Sequence, residues 1–279
     1  MSDAVDSLLA DCRWELMPFA SFDEQLAAIP PGQTITITAS PQKELVETVD
    51  LAIETVESQP YDVVPHLSAR AVRDRDELDV FAGRLQEAGI TDIFVPGGDL
   101  EEPVGEFSSS YELLVALDDL GYSFEEVGIT GYPEGHPIIS DDALTEALVE
   151  KEQYATYIVT QICYDADSVL RWIETIRADG IGLPVHVGIP GVMNYQKLIG
   201  ISARVGVGDS IKFVRKTSGI LDTLKRLVGS RGVYKPNALI DGLAPHAADP
   251  AIDIAGLHLY TFNRASDTQR WRNERLKAE

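Results

Sequence analysis

Short β-branched runs alternate with stretches of helical periodicity along all 279 residues, and no other feature narrows the choice of fold so far. The runs cover residues 12–17, 34–38, 62–66, 92–95, 126–130, 157–162, 184–189 and 254–261. Helical stretches follow at 22–28, 43–57, 77–88, 109–120, 142–152, 167–178, 195–204 and 265–276, with apolar residues three and four apart, as at Leu113, Leu114, Leu117 and Leu120. Most strands read as continuous apolar runs, the pattern of parallel strands covered on both faces. Eight strand–helix units in a chain of this length predict an α/β fold of the (β/α)8 TIM-barrel type. One domain would take in residues 1–279, with extra helices around 206–250, near 220–228 and 238–243. A doubly wound open sheet is the structural rival.

Composition limits the partners. The chain carries 45 Asp and Glu against 23 Lys and Arg, a net charge of −22, which would repel nucleic acid rather than neutralise its phosphates. No run approaches the roughly 18 apolar residues of a membrane span, and the N-terminal segment lacks the basic and apolar regions of a secretory signal. Two cysteines, Cys12 and Cys163, make no disulfide framework, so a reducing cytoplasm is the expected location. Only 8 of the basic residues are lysine. That scarcity fits either adaptation to high salt or a coding bias toward arginine.

In a barrel, catalysis is built at the C-terminal ends of the strands. The first ends in Trp14-Glu15-Leu16-Met17-Pro18, a carboxyl among apolar neighbours. Loss of water would raise its pKa and make it a general acid, unless it pairs with an arginine at the rim. Asp99 follows Gly97 and Gly98, which would let a ligand approach the backbone or simply shape a turn. Other strand ends hold Thr38, Pro65-His66-Leu67, the segment from Gly131 to Pro137, Thr160-Gln161, Asn194-Tyr195 and the segment from Tyr260 to Arg264. His66, His136, His186 and His258 lie on or after four different strands. Without an HxH or HExxH pair, no metal site is expected. Gly206-Val207-Gly208 lacks the third glycine of a dinucleotide fingerprint, and there is no GxSxG or Walker motif.

Taken in order, these strand ends resemble the methylenetetrahydrofolate reductase family. Trp14–Pro18 is similar to its aromatic-Glu-x-x-Pro, Pro65–Leu67 to its PHL, and Gly97-Gly98-Asp99 to its Arg-Gly-Asp turn. Tyr132-Pro133-Glu134-x-His136-Pro137 is similar to its YPExHP. Thr160-Gln161 with Tyr164-Asp165, Pro190-Gly191 with Asn194-Tyr195, and Leu259-Tyr260-Thr261-x-Asn263-Arg264 continue the series. The resemblance spans residues 12–266 and implies an oxidoreductase. It would reduce 5,10-methylenetetrahydrofolate to 5-methyltetrahydrofolate with NADH or NADPH through bound FAD. It gives Glu15 the general acid's role and places Asp99 by the pterin and flavin. Gln161 and Tyr195 would bind substrate, and Thr38, His66, Gly98, Tyr132 and His136 would bind cofactor. Self-association into a homo-oligomer is open.

The flavin side departs from the family pattern. Gly97 stands where the family has arginine, and its lysine-rich stretch reads Leu148-Val149-Glu150-Lys151-Glu152. Its glycine-rich loop is cut to Ala39-Ser40-Pro41. Direct hydride transfer without flavin is therefore an alternative. So are a non-catalytic folate-binding paralogue and a pterin methyltransferase-type barrel. Arg70, Lys151, Lys212, Arg215 and Lys216 are the candidates for a basic mouth.

Overall fold

A computed structural model describes residues 2–10, 12–136, 138–194, 197 and 232–277. Eight parallel strands make one sheet: β1 (Cys12–Leu16), β2 (Thr34–Ile37), β3 (Asp62–Pro65), β4 (Asp92–Phe94), β5 (Glu126–Gly131), β6 (Tyr157–Thr160), β7 (Val185–Pro190) and β10 (Ile254–Tyr260). Their spatial order is β3-β2-β1-β10-β7-β6-β5-β4. The two ends meet through a parallel bridge between His66 and Phe94 and an amide bond from Leu67 to the Phe94 carbonyl at 2.8 Å. That seam makes the sheet a barrel and rules out the open-sheet rival.

Helices α2 (Phe22–Leu26), α3 (Leu45–Ser58), α4 (Arg75–Glu87), α5 (Ser110–Asp119), α6 (Asp141–Lys151) and α7 (Ala166–Ala178) occupy the connections between strands. Local chemistry starts several of them. Asp74 accepts the Glu77 amide, Ser109 and Glu112 form a capping box, and Asp165 accepts the Ser168 amide. Three short elements have no counterpart in the sequence: helix α1 (Ser2–Ala10), and the antiparallel strands β8 (Met193–Asn194) and β9 (Val233–Tyr234). The expected helix near 238–243 is α8 (Asn237–Leu243), and α9 (Ala265–Leu276) follows β10. The expected helices at 195–204 and 220–228 lie outside the described residues.

The strands are less uniformly apolar than they read. Trp14, Leu16, Ile35, Ile37, Leu257 and Leu259 join the core between strands and helices. The alternate positions point into the barrel. There Val64, Phe94, Tyr157 and Val159 form a small apolar cluster. Around it stand Arg13, Glu15, Thr36, His66, Asp92, His186 and His258, so the barrel has a polar lumen inside an apolar jacket. Gly128 makes room for it, since a Cβ there would lie 2.3 Å from the Tyr157 ring.

Candidate active site at the barrel mouth

Glu15 is the penultimate residue of β1, paired with Thr36 of β2 and Tyr260 of β10. The Thr261 hydroxyl, wholly buried, donates to the Glu15 backbone carbonyl at 2.5 Å and fixes the strand end. The Glu15 residue is 7% exposed. Its Oε2 lies 3.2 Å from His258 Nε2 in a buried hydrogen bond. Burial pushes the carboxyl pKa up to about 7, opposed by His66 and reinforced by the Asp99 charge. Burial also lowers His66 to about 4, and His258 to about 3 with the help of the Arg13 charge. The imidazole is therefore neutral and the carboxyl keeps its proton up to about neutrality, so the contact is not an ion pair.

The other expected residues gather on the same rim, with one exception. Asp99 is exposed on the loop after β4, and its charge raises the Glu15 and Tyr132 pKa values and also acts on His136 and Tyr260. Gln161 follows β6, and its Oε1 accepts the Ile162 amide at 2.8 Å. Thr38 follows β2, tied by its amide to the Leu16 carbonyl at 3.0 Å. His66 is buried against Phe94 at 4.8 Å. Tyr132 and His136 meet edge to face at 5.2 Å, and His136 Nδ1 accepts the Ile138 and Ile139 amides. Gly98 has a positive φ of 100° and an added Cβ would lie 2.1 Å from Ser68 Oγ, so its first duty is to the loop. Tyr195 lies outside the described residues.

Several residues at the site carry no mark of their role in the sequence. His258 was visible only as a histidine on a strand, and its place beside Glu15 depends on the β1–β10 register. Asn263 has φ 53° and staples two loops, accepting the Met17 amide at 2.8 Å and donating to the Met17 carbonyl at 3.1 Å. Glu134 accepts the Tyr164 amide at 2.9 Å and so holds the loop after β6. Two of the expected mouth cations are spent elsewhere. Arg70 donates to the backbone carbonyls of Leu100, Ser108 and Glu101, bracing the Asp99 loop, and Lys151 is 5% exposed. Lys212, Arg215 and Lys216 lie outside the described residues. Among the described residues no cluster of three His, Cys, Asp or Glu could hold a metal ion, and no helix is long and apolar enough to cross a membrane.

The fold and site define a parallel (β/α)8 barrel whose mouth holds a buried carboxyl beside a buried imidazole. Residues 18–271 match the family model for methylenetetrahydrofolate reductase, and the chain belongs to that family. It is 29% identical over 212 residues to methylenetetrahydrofolate reductase 1 of Schizosaccharomyces pombe, covering 72% of this chain and 34% of that protein. It is 24% identical over 208 residues to the 5,10-methylenetetrahydrofolate reductase of Pectobacterium carotovorum, covering 73% of this chain and 66% of that one. The chain thus spans about a third of the length of its eukaryotic relative. An uncharacterized protein from Clostridium thermocellum, which binds two copies of 5-methyl-5,6,7,8-tetrahydrofolic acid, shares the fold with TM-score 0.63 at 10% identity, over 99% of this chain and 97% of that one.

Proposed function

We propose that this chain reduces 5,10-methylenetetrahydrofolate to 5-methyltetrahydrofolate with a hydride from NADH or NADPH, and that Glu15 is the general acid. The observation that carries this reading is the buried Glu15 carboxyl, protonated near neutrality at the mouth of a barrel of this family. Glu15 gives its proton to N10 of the folate as the bond from N10 to the methylene carbon breaks. The cation left at N5 accepts the hydride on that carbon, which becomes the methyl group. One proton and one hydride enter, and the nicotinamide leaves oxidised. Asp99 steadies the transient cation. Gln161 donates its Nε2 hydrogens to the pterin, and Tyr195 stacks on the folate or nicotinamide ring.

FAD would bring a flavin ring as hydride carrier and a diphosphate that must be held permanently. Thr38, His66, Tyr132 and His136 suit a flat heterocycle, but the donor set beyond them does not suit the diphosphate. Leu148 is buried in the core, and burial lowers the Lys151 amine to about 8. Glu152 is tied to the Gly182 amide at 2.8 Å. The first turn of α6 carries Asp141 and Asp142, and its cap Ser140 already accepts the Ala143 amide. Acidic side chains at a helix start cancel the attraction an anion would feel there. A nicotinamide nucleotide has the same diphosphate, but a co-substrate that leaves each cycle needs far less binding energy than a resident group. We therefore read the hydride as passing directly from nicotinamide to folate.

The visible spectrum of the purified protein, paired with NADH oxidation with and without added FAD, tests both halves. A colourless protein that oxidises NADH only when methylenetetrahydrofolate is present is the expected result. A yellow protein whose activity disappears with its flavin would overturn the flavin-free half. Folate binding with no NADH or NADPH oxidation under either condition would overturn the reductase and favour a non-catalytic paralogue.

A further inference from the structure

The mechanism above uses only the top of the polar lumen. Below Glu15 and His258 lie groups it leaves idle. His186 of β7 pairs with Gly256 of β10, two residues nearer the floor than His258. The Tyr157 ring meets His186 edge to face at 5.3 Å. At the floor, Tyr157 donates to Asp92 Oδ1 at 2.7 Å, while Arg13 donates to both Tyr157 and Asp92 at 2.8 Å. Asp92 begins β4 and its side chain is 17% exposed. Four buried atoms along this lumen have no protein partner among the described residues: Thr36 Oγ1, His66 Nε2, His186 Nδ1 and His258 Nδ1. Buried polar atoms are almost always bonded, and four together mark sites for ordered water.

We propose that Glu15 is reprotonated from the floor of the barrel, along a file of buried groups running from Asp92 through Tyr157, His186 and His258, with water between the histidines and between His186 and the Tyr157 hydroxyl. This rests on the reductase reading, in which each turnover takes one proton from Glu15 while folate and nicotinamide cover the mouth. The Glu15 carboxylate takes the His258 Nε2 proton, and His258 Nδ1 takes one from water beneath it. His186 and Tyr157 pass the deficit down, and Asp92 makes it good from solvent. The net transfer is one solvent proton to Glu15; each histidine ends in its other tautomer and resets by exchanging its ring proton with the lumen water before the next turnover. His66, Asp99 and Tyr260 also face Glu15, but none connects it to the floor. Burial places the Asp92 carboxyl at about 6, where it exchanges protons readily near neutrality.

Tyr157→Phe and Asp92→Asn break the file without touching the mouth, and circular dichroism and a melting curve check that each variant folds. The first turnover, in a rapid-mixing experiment, uses a proton already on Glu15 and keeps its wild-type rate. Steady-state kcat falls roughly tenfold or more and acquires a solvent deuterium isotope effect, with KM falling in proportion and kcat/KM unchanged. A purely structural role would slow the first and later turnovers together, and that result overturns the file. Wild-type turnover with unchanged variants overturns the file alone, whereas no wild-type turnover overturns it together with the reductase reading.

Discussion

Glu15 shows how much a single residue can be read from its neighbours. A carboxyl inside the run from Trp14 to Pro18 has to lose water, and the structure raises its pKa to about 7 for that reason. An acid must hold its proton to act, so kcat/KM should be flat below that pKa and fall tenfold per pH unit above it, in a profile measured with saturating nicotinamide. Glu15→Gln keeps the shape and removes the proton. The rate should drop by about 10²–10⁴ while folate affinity, measured by calorimetry, changes little. Undiminished turnover in that variant would show that the acid is another group. His258 was harder to read, because a histidine in an apolar strand carries no mark of its partner until the register is known. Arg13 did leave a trace, since Arg13 and Glu15 alternate with Cys12, Trp14 and Leu16. Alternation inside a nominally buried strand is the sign of a polar lumen.

At the scale of elements, the strands and most helices were legible because their periodicity reflects burial on the jacket side. α7, for example, was expected at 167–178 and runs over Ala166–Ala178. α1 escaped notice because its stability comes from docking: Arg272 donates to the Leu9 carbonyl at 2.5 Å and the Ala10 carbonyl at 2.6 Å. The strands β8 and β9 are two residues each, too short for any period, and their pairing is wholly non-local. The strand ends also depend on small residues. At Gly188 a Cβ would stand 2.3 Å from the Thr160 carbonyl and 2.6 Å from the Tyr260 ring. Gly188→Ala should therefore cost about 1–3 kcal/mol in chemical denaturation and weaken folate binding, because Tyr260 must move. Unchanged stability and binding would mean that β7 and β10 slide apart more easily than their paired register suggests.

For the whole molecule, the net charge of −22 acts on stability and on ligands alike. Among the described candidates Arg70 and Lys151 do not supply a basic mouth, and under the proposed function folate and nicotinamide nucleotides approach a chain whose net charge has their own sign. Salt screens that repulsion and the repulsion between surface carboxylates. Both the melting temperature and kcat/KM should rise as potassium chloride is raised, and a steady fall in both would assign the acidity to another cause. The number of strands was legible from the chain, but closure was not, because it rests on a meeting of β3 and β4 that neither strand announces. That meeting is uneven. Bonds from His66, Leu67, Ala69 and Arg70 reach the Ile37, Phe94, Pro96 and Gly97 carbonyls respectively, so three of the four fasten the seam, all near the mouth. Toward the floor, no ladder joins the two strands among the described residues, and Asp62 and Asp92 begin them there. The barrel is a purse drawn tight at its lip and left unstitched below. Hydrogen exchange should accordingly be faster in the floor-side amides of β3 and β4 than in β1 or β10, and water should enter this protein from underneath.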